Sequence, residues 1–154
     1  MIVVSDTSAI SALLDIGQID LLTAIYGDVF IPEAVQSELR VAHVRLPSFV
    51  RVVPITDHAF CARLIQELDD GEAEAIVLAK ELKADDLLID EIKGRRVAIR
   101  EGIHVIGLLG VVLEAKLRGL TPSVRKIIEQ LEDEVHFHIA DSLKEAILRE
   151  ASEL

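Results

Sequence analysis

The chain has few aromatic side chains and almost no cysteine. Its 154 residues include four Phe, one Tyr and no Trp, so the core has to be built from aliphatic side chains. So few rings argue against a protein that binds single strands on a platform of stacked aromatic residues. Cys61 is the only cysteine, which excludes a disulfide within one chain.

Long apolar runs are missing as well. No run reaches the roughly 18 residues that a membrane-spanning helix needs. The first residues, Met1 to Asp6, carry no basic flank and no cleavage-like site, so a signal peptide is not expected. These absences predict a cytoplasmic protein, and the length predicts a single domain over residues 1–154.

Positive charge is also in short supply. There are 16 Lys and Arg against 27 Asp and Glu, for a net charge of −11. Such a negative net charge argues against a protein that binds nucleic acid through a broad basic surface. The acids have two interpretations: a solvated surface that keeps the protein in solution, or a group that converges on a divalent cation.

Strand-like apolar runs alternate with helix-like segments, a pattern typical of an α/β protein with a parallel sheet. Strands are predicted at 2–4, 29–31, 87–89 and 103–106, an edge strand containing Pro54 at 50–55, and a short strand at 135–138. Helices are predicted at 9–16, 19–26, 32–40, 58–68, 72–82, 93–100, 108–117, 122–131 and 141–151, with a loop at 41–49. Right-handed crossovers would place helices on both faces of the sheet.

Carboxylates directly follow two of the predicted strands. Asp6 follows the first, and the pair Asp90 and Glu91 follows the strand at 87–89. Ligands of open α/β sheets bind beyond the carboxyl ends of the strands. One such Asp is more simply a turn former or a helix cap, but acids at two strand ends indicate a shared site.

Further acids lie on predicted helices. Glu38 flanks the apolar face of its helix, either as a boundary acid paired with Arg40 or as part of the site. Glu72 and Glu74 open another helix. Glu72 has the spacing of a capping box with Asp69, yet a helix N-terminus also suits a metal ligand. The pattern does not separate these interpretations.

A ring of about four carboxylates can hold one or two Mg²⁺ or Mn²⁺ ions against a phosphodiester, since these ions prefer oxygen ligands. No Ser–His or Cys–His pair offers a different chemistry. Lys93, Arg95 and Arg96 follow the last acids closely and either reach a phosphate or form a solvated helix start.

The order and spacing of these segments resemble the PIN-domain family over nearly the whole chain. The matching segments are residues 2–8 (IVVSDTS), 31–39 (IPEAVQSEL), 71–76 (GEAEAI), 88–91 (LIDE), 93–98 (KGRRVA) and 105–110 (VIGLLG). The resemblance implies a three-layer α/β/α fold and a Mg²⁺- or Mn²⁺-dependent endoribonuclease. Many relatives are toxins of the VapC kind from type II toxin–antitoxin pairs, commonly homodimers that bind a small antitoxin protein.

The resemblance also implies which residues form the site. Its acids fall on Asp6, on Glu38, on Glu72 with Glu74 as a rival, and on Asp90 or Glu91. Thr7 and Ser8 match the small hydroxyl residues that follow the first acid. Two positions depart from the pattern: Glu72 stands where toxin relatives usually have Asp, which would shift the metal, and Ile89 replaces a supporting Thr.

Other interpretations remain for several features. A PIN-like RNA- or protein-binding module without catalysis would have acids that fail to converge or that pair with Arg and Lys. A haloacid-dehalogenase-type phosphotransferase would need an Asp where Ser8 stands. His136 and His138 either form a surface strand face or bind zinc, for which no third ligand is near. The helix at 141–151 packs on its own domain or on a partner subunit.

Overall fold

The computed structural model describes residues 1–154 and contains one five-stranded, all-parallel sheet. The strands are β1 (Val3–Ser5), β2 (Val29–Ile31), β3 (Val50–Val52), β4 (Asp86–Leu88) and β5 (Val105–Ile106), in the order β3-β2-β1-β4-β5. The chain therefore builds outward from β1 to β3 and then returns to place β4 on the other side of β1. The α/β prediction is confirmed, and the topological switch point lies between β1 and β4.

Nine helices surround this sheet. They are α1 (Thr7–Asp15), α2 (Asp20–Tyr26), α3 (Glu33–Ala42), α4 (His58–Leu64), α5 (Asp70–Glu81), α6 (Ile92–Arg100), α7 (Leu108–Leu117), α8 (Val124–Glu134) and α9 (Asp141–Glu150). The longest, α5, has 12 residues, and none is long and apolar enough to cross a membrane.

Successive strand residues point to opposite faces of the sheet, and each face carries its own core. Val3 belongs to a larger cluster of 29 buried residues, to which α1, α2, α7, α8 and α9 contribute. Val4 belongs to a cluster of 16 buried residues with side chains from α4, α5 and α6. Two cores on one sheet give the three-layer α/β/α arrangement that the resemblance implied.

Helix α5 is buried almost all round. From Gly71 to Ala79 only Glu74 keeps appreciable exposure, because the helix packs against the sheet and against α3, α4 and α6. Its small residues, among them Ala73 and Ala75, permit this close packing. The N-terminus of α5 is thereby fixed beside the carboxyl ends of β1 and β4.

The short strand predicted at 135–138 is wrong. The chain leaves α8 and turns at His136, whose φ of 57° lies in the left-handed region, so no strand can continue through it. The alternation that suggested a strand has another cause: Val135 and Phe137 pack against the larger core, whereas His136 and His138 are exposed.

The ends of several elements also differ from the sequence prediction. Helix α3 runs on to Ala42, into the segment predicted as loop. Strand β3 lies at the sheet edge as predicted but ends at Val52, before Pro54. Helix α9 packs on its own chain, burying Leu148 and Ala151 in the larger core, and beyond it Glu153 accepts the Val124 N–H at 2.7 Å.

Candidate active site

A cleft of about 780 Å³ opens at the carboxyl edge of the sheet, beside the switch point. Its acidic lining consists of Asp6, Glu38, Glu67, Asp69, Glu72, Asp90 and Glu91. Lys93 is the only base in the lining. The cleft is therefore strongly negative, and acids from two strand ends and two helices line it together.

Asp6 lies at the end of β1, where its N–H donates to Leu88 O at 2.9 Å and extends the ladder to β4. The residue is only 7% exposed. Burial raises the pKa of its carboxyl from 3.8 to about 6, partly offset by the Thr7 N–H, and the charges of Asp69, Glu38 and Asp90 add to the rise. An ionised Asp6 is thus destabilised unless a cation compensates it.

Glu72, 8% exposed, uses its two oxygens differently. Its N–H donates to Asp69 Oδ1 at 2.8 Å, and the Asp69 N–H donates to Glu72 Oε1 over a long 3.5 Å, which confirms the capping box. Glu72 Oε2 is buried and has no hydrogen-bond partner. Burial, followed by the charge of Asp69, raises the pKa of this carboxyl to about 7.

Glu38 reaches the cleft from α3. Its carboxylate accepts a hydrogen bond from the Thr7 hydroxyl and forms no ion pair with Arg40, so the interpretation as an Arg-paired boundary acid is wrong. The carboxylate also lies directly over Gly71, where any Cβ would overlap it. Glycine at this position leaves the space that Glu38 occupies.

Asp90 follows β4 and is held by the start of α7. Both its oxygens lie close to the Leu108 N–H, at 3.0 and 3.2 Å. Burial raises the pKa of its carboxyl, whereas the Leu108 N–H and the nearby Arg95 lower it. Arg95 itself donates to Ile89 O at 3.0 Å, so these contacts fix the position of Asp90 in the cleft wall.

Of the alternatives that the sequence left open, the structure distinguishes Glu72 from Glu74 by position, whereas Asp90 and Glu91 both line the cleft. Glu74 lies outside the cleft lining, where it accepts the Ala34 N–H at 3.2 Å and caps α3. Glu91 does line the cleft, as an exposed residue at the N-cap of α6 with no capping hydrogen bond. Glu72 and Glu74 point to different places because they lie two residues apart on one helix.

Asp69 is an acid of the cleft that the sequence interpretation treated only as a helix cap. Its charge raises the pKa of both Asp6 and Glu72, so it lies close to both. A capping Asp needs one oxygen for the backbone N–H and keeps the other for a second contact. The free second oxygen of Asp69, three residues before Glu72, is the sequence signal that could have identified it as an acid of the site.

The residues present fit a divalent cation of the Mg²⁺ or Mn²⁺ type. The donors are carboxylate oxygens, the ligands these ions prefer, and Glu72 Oε2 is buried without a partner. A Cβ at Gly94 would lie 2.9 Å from that oxygen and 2.6 Å from Ile89 Cδ1, so glycine keeps the space open. In their present arrangement no three acidic, His or Cys side chains form a compact ligand cage.

Of the remaining site residues predicted from the sequence, three line the cleft, whereas Arg95 and Arg96 lie outside its lining. Thr7, Ser8 and Lys93 line it. Neither Lys93 nor the exposed Arg96 forms an ion pair. Arg95 is engaged by Ile89 O. Two residues of the α8–α9 linker, Val135 and Phe137, complete the wall without having been predicted there.

Comparison with known families agrees with this architecture. A family model described as a PIN domain matches residues 2–153. The chain belongs to the PIN-domain family. PIN domains are generally nucleases that use divalent metal ions. No curated protein matches the chain at a significant level.

Proposed function

We propose that this protein is a metal-dependent endoribonuclease that hydrolyses RNA phosphodiester bonds in the acidic cleft. The observation that carries the proposal is Glu72 in the lining of the cleft, whose Oε2 is buried beside Gly94 and has no hydrogen-bond partner. A buried acceptor without a hydrogen bond is destabilising. A cation would satisfy that oxygen and reduce the repulsion among the neighbouring carboxylates.

Asp6, Glu38, Glu72 and Asp90 are the proposed ligands, with Glu91 and Asp69 beside them. Ion pairing does not neutralise these acids: among the cleft carboxylates only Glu67 has a salt bridge, with Arg100 at 2.9 Å. A non-catalytic module whose acids are paired with Arg and Lys is therefore disfavoured. Glu74 has no part in the proposal, because it caps α3.

The chain's own residues would hold and orient the substrate. The Thr7 hydroxyl fixes Glu38, and Leu108 N–H fixes Asp90, so the acids are presented in set positions. Lys93, in the cleft lining, is the proposed contact for phosphate oxygens, and the exposed Arg96 outside the lining is a further candidate. A bound Mg²⁺ or Mn²⁺ would supply an activated water and stabilise charge on the leaving oxygen.

Mn²⁺ titration by calorimetry tests the metal site. Wild type should bind saturably, Asp6→Asn should lose that binding, and Glu74→Gln should bind like wild type, because Glu74 lies outside the cleft. Cleavage of a labelled RNA in Mn²⁺ should follow the same order. No Mn²⁺ binding by wild type would overturn the metal site and favour a PIN-like RNA- or protein-binding module without catalysis.

The resemblance to VapC-type toxins adds a separable proposal: the nuclease is the toxin of a type II toxin–antitoxin pair, acts as a homodimer in the cytoplasm and is neutralised by a small antitoxin protein. Induced expression in a bacterial host should then arrest growth, and Asp6→Asn should relieve the arrest at equal protein level. Normal growth with an active nuclease would overturn the toxin assignment and leave the nuclease assignment standing.

A further inference from the structure

The wall of the cleft contains one aromatic ring, that of Phe137 in the α8–α9 linker. We infer that Phe137 is a substrate-positioning residue, whose ring stacks on an unpaired nucleobase next to the phosphate held at the acids. This inference rests on the proposed nuclease function and adds to it a residue that selects how the strand lies in the cleft.

The linker presents the ring in a fixed way. His136 adopts φ 57°, which turns the chain at the end of α8, and the Phe137 N–H then donates to Leu131 O at 2.9 Å. Phe137 is half-buried: it packs partly against the larger core and also lines the cleft. A ring held on one side and open on the other loses little conformational entropy when a base stacks on it.

The other aromatic side chains are placed differently. Tyr26 and Phe60 are buried, and Phe30 and Phe49 pack against the two cores outside the cleft lining. The low aromatic content excludes a platform of several rings, and Phe137 is the single ring in the cleft lining.

Because the cleft is negatively charged, nucleobase stacking should contribute a larger share of the affinity for RNA. Seven acidic side chains and only one basic side chain line the cleft, so phosphate contacts contribute less affinity here than on a basic surface. Stacking on a ring does not depend on the charge of the wall and is tolerant of base identity. Contact with the base thus supplies affinity that this acidic wall cannot draw from the backbone.

Binding of short oligonucleotides to the full chain tests the inference. The probes are fluorescein-labelled hexaadenylate and an abasic hexamer of the same phosphate backbone, measured by anisotropy with Ca²⁺ in place of Mn²⁺ to limit hydrolysis. The variants are Phe137→Leu, Phe137→Tyr and Phe49→Leu. Phe49 is the matched control, because it packs on the same core and does not line the cleft.

Phe137→Leu should bind hexaadenylate about tenfold more weakly than wild type. Phe137→Tyr and Phe49→Leu should bind it normally. Wild type and Phe137→Leu should bind the abasic strand equally, since the ring has no base to contact, and Mn²⁺ affinity should be the same in all four proteins.

Two results would overturn the inference alone: normal hexaadenylate binding by Phe137→Leu, or an equal loss on the abasic strand, which would show a general effect on the cleft. Absence of hexaadenylate binding by wild type would count against the proposed nuclease function as well. The wild-type measurement therefore distinguishes the two failures.

Discussion

At the scale of single residues, the two carboxylate oxygens of Glu72 allow it to cap α5 and also to serve as the proposed metal ligand. The capping box uses Oε1 and the backbone N–H, and Oε2 remains buried and unpartnered. Sequence spacing identified the cap correctly but could not show that the second oxygen is buried, because Gly94 of α6, which lies beside it, is 22 residues away in the sequence.

Glu72→Gln separates the two roles. The amide oxygen can keep the contact with the Asp69 N–H, whereas the charge at Oε2 is lost. We expect Mn²⁺ affinity to fall at least about 10- to 100-fold, with no loss in the free energy of unfolding of the metal-free protein, because a buried charge beside Asp6 disappears. Calorimetry and urea unfolding measure the two quantities.

Glu74→Gln provides the charge-matched control for that experiment. It lies two residues away on the same helix, and its amide oxygen can still accept the Ala34 N–H. Equal Mn²⁺ losses in both variants would mean that net charge, and not the position of Glu72, governs metal binding.

The pKa values of Asp6 and Glu72, raised to about 6 and about 7, set a pH window. A carboxyl with a raised pKa stabilises the fold below its unfolded pKa of about 4, and that contribution is lost as pH rises through the folded pKa. The metal-free protein should therefore lose stability between about pH 4 and 7 through these groups. Urea unfolding in EDTA measures this, with Asp6→Asn expected to flatten the slope.

The same protons compete with the metal. Mn²⁺ affinity should rise from pH 5 to pH 8, because about two carboxyls must release protons before they can act as ligands. Calorimetry in buffers of different ionisation enthalpy would detect the released protons. Affinity that does not change over this range would exclude Asp6 and Glu72 as ligands.

At the scale of elements, two glycines let helices approach the N-terminus of α5. Gly71 admits the Glu38 carboxylate from α3, and Gly94 on α6 leaves room for Glu72 Oε2. Neither glycine has a positive φ, so both are needed for space and not for backbone conformation. The site is thus assembled by the packing of helices as much as by the strand ends.

Gly71→Ala tests whether the metal site needs the space that this glycine leaves for the Glu38 carboxylate. The new Cβ overlaps the Glu38 carboxylate, which must move away from the other acids. We expect roughly a tenfold loss of Mn²⁺ affinity and a change in unfolding free energy below about 1 kcal/mol, since Ala is the better helix former and the flexible end of Glu38 can shift.

Gly102→Ala gives the contrasting control. Gly102 has φ 78° and no neighbouring atoms within 4 Å of an added Cβ, so the variant should lose about 1 kcal/mol of stability through backbone strain and keep its Mn²⁺ affinity. Unchanged metal binding by Gly71→Ala would show that Glu38 is not needed in its present position.

Some elements of the fold could be predicted from the sequence and others could not. Apolar runs of buried strands and the acids after β1 and β4 were predictable, because each is a local signal. The turn at His136 was not, since Val135 and Phe137 alternate with polar residues as in a strand although they pack against the core. For the same reason Phe137 could not be placed in the cleft from the sequence.

At the scale of the whole molecule, the sheet order decides where the charge accumulates. β1 and β4 are neighbours in the sheet although 80 residues, 6–85, lie between them in the sequence, so Asp6 and Asp90 meet only in the complete fold. Two further acids arrive with α5, which is fixed between the sheet and α3. The folded chain therefore concentrates negative charge at one edge, where the unfolded chain keeps it dispersed.

If the acids bind a cation as proposed, this concentration of charge makes the metal-free fold the less stable form. A ligand that binds only the folded state stabilises it by about 2.7 kcal/mol at a free concentration of 100 times its Kd. For a chain of this length that corresponds to a rise of about 5–10 °C in Tm. Thermal unfolding in EDTA and in excess Mn²⁺ measures the rise. Asp6→Asn should show no Mn²⁺-dependent rise in Tm. Its Tm in EDTA should be at or above that of wild type, because one repelling charge is gone. A lower Tm in EDTA would mean that Asp6 supports the fold and not a metal site.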